Sequence, residues 1–282
     1  MMNKPLVYIV SMLLLFSACT EKEAIPTSAH IPVLEITAED FQPAFIPGTR
    51  MAETGYVTTF SDGDQIGITG MIEGRIVDDM NNVCCTYAAA TDKWTLASGK
   101  NLFLYDNVSY IAYYPYQSAM DGKKTLEDIV AAFSPLTSQA DYKTGYSASC
   151  LMIATGVVDA DQQKLSFNFA HAMTMLELQF YKDIGGAKTL VMLGAGSTIQ
   201  VKSGGKNYTF NVQNTGNRYR LFLKPASSFD WNISFTADGA DYSNALSGLT
   251  TPAAGKYLHY DMTFKSGAGN RAVHGVVMAR HR

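Results

Sequence analysis

From Ile31 onward the chain alternates. Apolar and polar residues exchange places at every second position through one short segment after another, and Gly, Pro, Asn and Asp collect between the segments. A period of two is the pattern of half-buried strands. In IPVLEIT (31–37), Ile31, Val33 and Glu35 fall on one face and Leu34 and Ile36 on the other. Pro32 favours an edge position, because it has no N–H to give to a ladder. FIPGTRMAETG (45–55) reads as a loop from Pro47, Gly48 and Gly55. YVTTF (56–60) reads as a strand, SDGD (61–64) as a turn, and QIGIT (65–69) as the next strand. NVCCTYAAATDKWTL (82–96) predicts two strands around Thr91-Asp92-Lys93. NVSYIAYYPY (107–116) is dense in β-branched and aromatic residues and stops at Pro115. One segment departs from the period: TLEDIVAAF (125–133) spaces Leu126, Ile129, Val130 and Phe133 as a helix does.

The alternation restarts after 157–164. In KLSFNFAHAMTMLELQFY (164–181), Phe167 and Phe169 share one parity and Leu176, Leu178 and Phe180 the other, so a bulge or bend near His171 is expected. Residues 206–225 predict a hairpin across Gln213–Asn217. Phe229 to Tyr242 places Trp231, Ile233 and Phe235 on one face and turns at Ala237–Ala240. GKYLHYDMTFK (255–265) predicts Leu258, Tyr260, Met262 and Phe264 inside and Tyr257, His259 and Asp261 outside. Many short strands separated by turn signals argue for an all-β protein built of β-sandwiches, and the break near 159–164 argues for two. The expected division is 31–160 and 161–265, followed by a Gly-rich and then basic tail, 266–282.

The first thirty residues follow different rules. Lys4 precedes a nearly unbroken apolar run from Leu6 to Ala18. A membrane-spanning helix needs about 20 residues, so the run fits the apolar core of a secretory signal instead. Small residues precede Cys19, as in bacterial lipoprotein signals, where the chain is cut before a cysteine that receives lipid. The usual leucine three before that cysteine is Phe16 here. The expectation is a signal peptide over 1–18, lipid on Cys19, and a flexible leader over 19–30 that holds the rest at the outer membrane.

Composition narrows the function classes. Only 17% of the 282 residues are charged and the net charge is −3, so nothing points to a nucleic-acid partner. Beyond Cys19 there are three cysteines, Cys84, Cys85 and Cys150. Adjacent strand residues face opposite ways, so at most one of the first two meets Cys150, and the sequence leaves that pairing open. The five histidines form no metal-ligand spacing, and no serine lies in a nucleophile elbow. His171 shares the parity of Phe167 and Phe169 and reads as a core or bend residue. SDGDQIG resembles a calcium loop only superficially, since Ile66 stands where a third oxygen ligand belongs. LGAGST (193–198) lacks the frame of a phosphate loop. No enzyme, metal or cofactor is expected. Two non-catalytic uses remain for the tyrosines of 110–116: filling a sandwich core, or, with Trp94, stacking on glycans.

The ordered set of features resembles a family. The residues are the signal ending at Cys19, GTRMAETG…TTFSDGDQIGI (48–68), DKWTLASGKNLFLYDNVSYIAYYPY (92–116), LSFNFAHAMTMLELQF (165–180) and AAGKYLHYDMTF (253–264). Together they resemble the fimbrillin-like (Mfa-like) proteins of Bacteroidota. The resemblance implies two transthyretin-like β-sandwich domains in tandem after the lipoprotein signal. It implies a structural, tip or anchor subunit of a cell-surface fimbria, with other subunits and host or bacterial surface ligands as partners. It also implies maturation by a protease that cuts after an arginine in the loop following the first strand. Loss of that strand opens a groove which a strand of another subunit fills, relieving unpaired backbone and exposed apolar side chains together. Repeated head to tail, such contacts give a filament. In this sequence the matching cut lies between Arg50 and Met51, the removable strand is 31–37, and AVHGVVMA (272–279) is a candidate donor strand, weakened by Gly275. The alternative is a tail without order and a surface lipoprotein that binds glycan.

Overall fold

The computed structural model describes residues 32–43 and 56–265, apart from short breaks at 106, 162, 185, 194–197, 214–217, 226 and 238–239. Cys19, Arg50, Met51, most of LGAGST and the tail 266–282 lie outside the described residues.

The first half builds one sheet. Its strands are β1 (Val33–Ala38), β3 (Gln65–Ile72), β4 (Arg75–Ile76), β5 (Val83–Ala88), β6 (Lys93–Leu96), β7 (Ser109–Tyr114), β8 (Met152–Asp159) and β9 (Lys164–His171), while β2 (Gln42–Pro43) leaves for another sheet. The order is β1-β9-β8-β7-β3-β5-β6, with β4 on β3. Most neighbours are antiparallel, but β1 runs parallel to β9, Leu34 opposite Leu165 and Ile36 opposite Phe167. The expected helix is present as α1 (Leu126–Ala132). The Thr125 hydroxyl caps it by accepting the Asp128 N–H at 3.0 Å, and Ile129 and Phe133 are buried in the first core. That core also takes Ile66, Ile68, Val83, Cys85, Tyr110, Tyr113, Leu165, Phe167 and Phe169.

The second half builds two sheets facing one core. Its strands are β10 (Thr174–Ile184), β11 (Ala187–Leu190), β12 (Thr198–Ser203), β13 (Lys206–Thr209), β14 (Asn211–Gln213), β15 (Arg218–Leu223), β16 (Ser228–Ala237), β17 (Ala240–Thr250) and β18 (Lys256–Lys265). One sheet runs β14-β15-β10-β18-β2, with β11 on β10, and the other β13-β12-β16-β17. Leu176, Leu178, Phe180, Leu221 and Met262 from the first meet Val201, Phe229, Trp231 and Ile233 from the second. The architecture is all-β and sandwich-like.

Three expectations change. YVTTF is not a strand: residues 56–60 run as a strap without ladder pairing. The faces of 255–265 are not split inside and outside, since Tyr257 is buried and His259 and Asp261 are mostly covered. Strand β18 lies between β10 and β2, and the strap covers its polar face. Finally, β9 pairs with β1 and β8 in the first sheet, whereas a division at 160/161 assigns it to the second half. The chain changes sheets at Ala172–Met173, where the parity break near His171 was expected.

Candidate functional site

Residues 33–43 form a thin edge whose contacts are one-sided. On β1, Leu34, Ile36 and Ala38 pack half-buried on the first core, while Val33 is 62% exposed. The Val33 N–H donates to Gln163 O at 2.9 Å and the Glu39 N–H to Phe169 O at 2.8 Å, closing the two ends of the ladder. The outer face carries only polar links: Glu35 to Lys164 at 3.1 Å and the Thr37 hydroxyl to Asn168 Oδ1 at 3.0 Å. Phe41 then turns inward and is buried. Its ring stacks on His171 at 3.7 Å between centroids and on Phe222 at 5.6 Å. The Gln42 N–H donates to Gly255 O at 2.9 Å, and β2 extends the second sheet beside β18.

The segment from Tyr56 to Thr58 is bonded back to this edge. The Thr58 N–H donates to Asp40 Oδ1 at 2.8 Å, tying the strap to the outgoing segment. Tyr56 stacks on Tyr257 at 3.9 Å and donates its hydroxyl to Glu177 Oε1 at 2.8 Å. Glu177 has no exposed side-chain surface. It accepts from Arg220 Nε at 2.5 Å, lies 3.7 Å from Arg218, and is 2.6 Å from His259 Nδ1. His259 Nε2 is 2.8 Å from Asp261 Oδ1. Arg220 also lies 4.9 Å over the Tyr56 ring. Burial alone would raise the Glu177 pKa; the His259 hydrogen bond and the charges of Arg220, His259 and Arg218 outweigh it and hold the carboxyl at about 2. Burial likewise pulls His259 down, and its bonds to Asp261 and Glu177 lift it to about 9.

This cluster escaped the sequence reading, although a signal was there. Glu177 stands directly opposite Arg220 on one neighbouring strand and His259 on the other. Each occupies the polar parity of its own segment, which reads as solvent-facing until a distant strap covers it.

A small cleft of about 130 Å³ opens under Phe41, lined by Tyr56, Thr58, Tyr114, Cys150, His171 and Arg220. Cys150 Sγ is 3.4 Å from His171 Nδ1, and Thr58 Oγ1 is 2.8 Å from Nε2. Burial pushes the Cys150 thiol up and the His171 imidazole down to about 4. The pair is therefore neutral at pH 7, unlike the thiolate and imidazolium of nucleophilic sites. Cys84, Cys85 and Cys150 are free thiols. Among the described residues no group of three or more His, Cys, Asp or Glu is placed to hold a metal ion, and no helix is long and apolar enough to cross a membrane.

The aromatic residues do not favour a glycan platform. Tyr110, Tyr113 and Tyr114 are in the core, and Trp94 packs edge-on against Phe60 at 5.0 Å. SDGD is a turn, its Asp64 carboxylate accepting the Ser61 N–H at 2.7 Å. The removable strand expected at 31–37 is β1, at the sheet edge; the arginine expected after it belongs to the segment 44–55, between the described residues Pro43 and Tyr56.

Comparison with known proteins gives this geometry a context. A Bacteroides ovatus protein named as a candidate fimbrium tip subunit, Fim1C, is 38% identical over 143 residues, which are 46% of this chain and 26% of that protein. The crystal structure of a Bacteroides ovatus fimbrial protein matches 86% of this chain and 52% of its own, with TM-score 0.58 and 21% identity. That of a candidate cell-adhesion protein from Bacteroides uniformis matches 84% of this chain and 93% of its own, with TM-score 0.51 and 20% identity. At these identities the two structures speak for the fold. The chain spans about a quarter of the length of Fim1C and about half of the Bacteroides ovatus structure. A family model described as fimbrillin-like matches residues 49–278, most of the chain, and the protein belongs to that family.

Proposed function

We propose that the chain is a non-catalytic subunit of a cell-surface fimbria of Bacteroidota, exported as a lipoprotein on Cys19 and matured by cleavage between Arg50 and Met51. Its two cores are then two tandem β-sandwich domains, divided at residues 172–173 rather than at 160/161. The observation that carries this reading is the edge formed by β1. It is parallel to β9, packed on the first core through Leu34, Ile36 and Ala38 alone, and continuous through β2 with the segment that contains Arg50. A strand held in that way is separable from its sheet. Its departure leaves the β9 ladder and the Leu165–Phe167–Phe169 face unpaired, and a strand from another subunit restores both. The likeness to a tip subunit favours a tip or accessory place over the shaft.

Intact mass and N-terminal sequencing of the protein from native outer membranes and from sheared filaments test the proposal. Chains in filaments are expected to begin at Met51 and to carry no lipid. A lipidated chain beginning at Cys19, and absent from filaments, would remove maturation and strand exchange.

A further inference from the structure

The segment that enters the first sheet as β1 does not end there. Leu34, Ile36 and Ala38 face the first core on even positions. The parity then breaks. Asp40 is exposed and accepts the Thr58 N–H, and Phe41 is the next buried residue. Its ring fills the seam where His171, at the end of β9, meets Phe222 of β15. Uninterrupted alternation from Leu34 would turn positions 40 and 42 inward and 41 outward. No straight strand therefore reproduces what this segment does: it completes one sheet, bends over two polar residues, and plugs the seam to the next.

Resting on the reading that a strand from another subunit replaces this segment, we propose that the acceptor recognises a composite motif rather than a strand alone. The motif is three small or medium apolar residues at alternate positions, a two-residue polar bend, and an aromatic residue seven positions after the first apolar one. The aromatic seats between His171 and Phe222, and over the cleft that opens beneath Phe41. A straight amphipathic strand fills the edge beside β9 and leaves the seam wet, losing the large apolar area that an aromatic side chain buries. The occupant is an extended segment of a different subunit. Residues 266–282 of this chain contain no Phe, Tyr or Trp, and Gly275 interrupts their one apolar run, so a second copy does not supply the motif through that tail.

Peptide exchange tests this. The full chain is treated with an arginine-specific protease in the presence of a fluorescent peptide of residues 31–43. The cut at Arg50 is verified by intact mass and uptake is followed by fluorescence polarisation. Peptides carrying Phe41→Ala, or the swap Asp40→Phe with Phe41→Asp, are compared with the natural sequence. The natural peptide is expected to be taken up and both variants to bind about 30-fold or more weakly, on the order of the loss expected for an emptied aromatic site. Swap and natural peptides binding within about threefold of each other would overturn the motif while leaving strand replacement intact. If the cut chain keeps its own segment and takes up no peptide at all, strand replacement fails, and the motif with it.

Discussion

Glu177 is fully buried yet charged, because Arg220, His259 and Tyr56 each give it a hydrogen bond. Removing the carboxylate takes this acceptor from all three donors and from the positive charge beside it. Glu177→Ala is therefore expected to cost about 3–5 kcal/mol in urea unfolding, with Glu177→Gln costing less because it keeps the shape. The histidines set the pH dependence, and they act in opposite directions. His259 has its folded pKa raised from 6.5 to about 9, so its stabilisation is complete below 6.5 and is lost as pH rises through 9. His171 has its folded pKa lowered from 6.5 to about 4, so stability is present above 6.5 and is lost as pH falls toward 4. Glu177 adds a further loss as pH falls from 4.5 toward 2. Stability is expected to peak near pH 6.5, each histidine limb spanning about 3 kcal/mol at most. His259→Gln should flatten the alkaline limb and His171→Gln the upper acid limb. An unchanged alkaline limb in His259→Gln would show that the cluster does not govern it. Sequence alone reaches His171 as a core residue, because its neighbours share its parity. It misses Glu177 and His259, because alternation reports which side a residue faces and not what covers that side. The cover is Tyr56, 121 positions away.

At the scale of elements, β1 is an edge strand of the first sheet that touches the first core. It has one neighbour, β9, and half-buried inward residues, whereas β7 lies between β8 and β3 with five of its six residues buried. Local opening follows such differences. Amide hydrogen exchange of the full chain under native conditions is expected to show β1 on the order of 100-fold less protected than β7. Equal protection of the two would mean that β1 opens only with global unfolding, and would count against its exchange. The strand itself was readable from Leu34, Ile36 and Pro32. So were α1, through the spacing of Ile129 and Phe133, the hairpin β5–β6 with its turn at Asp92, and the antiparallel pair β14–β15. These are local patterns, in which the period and the turn lie within a few residues. The parallel pairing of β1 with β9 was not readable, because its partners are 131 residues apart. For the same reason β9 falls in the first sheet although the chain break before it resembles a division between units.

At the scale of the molecule, the two cores are joined by more than a linker. Met175, Phe222 and Tyr257 belong to the sheet of β10, β15 and β18, yet pack in the first core. Gln139, fully buried, accepts the Phe222 N–H at 2.8 Å and donates to the Phe222 carbonyl at 2.9 Å, so the backbone of β15 is bonded to the first half as well. Phe222 lies between Phe41 and Tyr146, its ring 5.6 Å and 4.5 Å from theirs. In the proposed fimbrial role, a subunit pulled along a filament would carry force from one core to the other through these contacts. Differential scanning calorimetry of the full chain is expected to give one transition, since unfolding either core strips side chains from the other. Phe222→Ala is expected to lower that transition as a whole by about 3–5 kcal/mol, without splitting it. Two transitions in the unaltered protein, of which Phe222→Ala moves only one, would mean that the cores unfold independently and that the seam transmits little. If the single transition holds, cutting at Arg50 acts on both cores together. On the proposed maturation, loss of the cut segment would take Phe41 from the seam as well as β1 from the edge, and would leave both sides of Phe222 weakened until an aromatic plug returned.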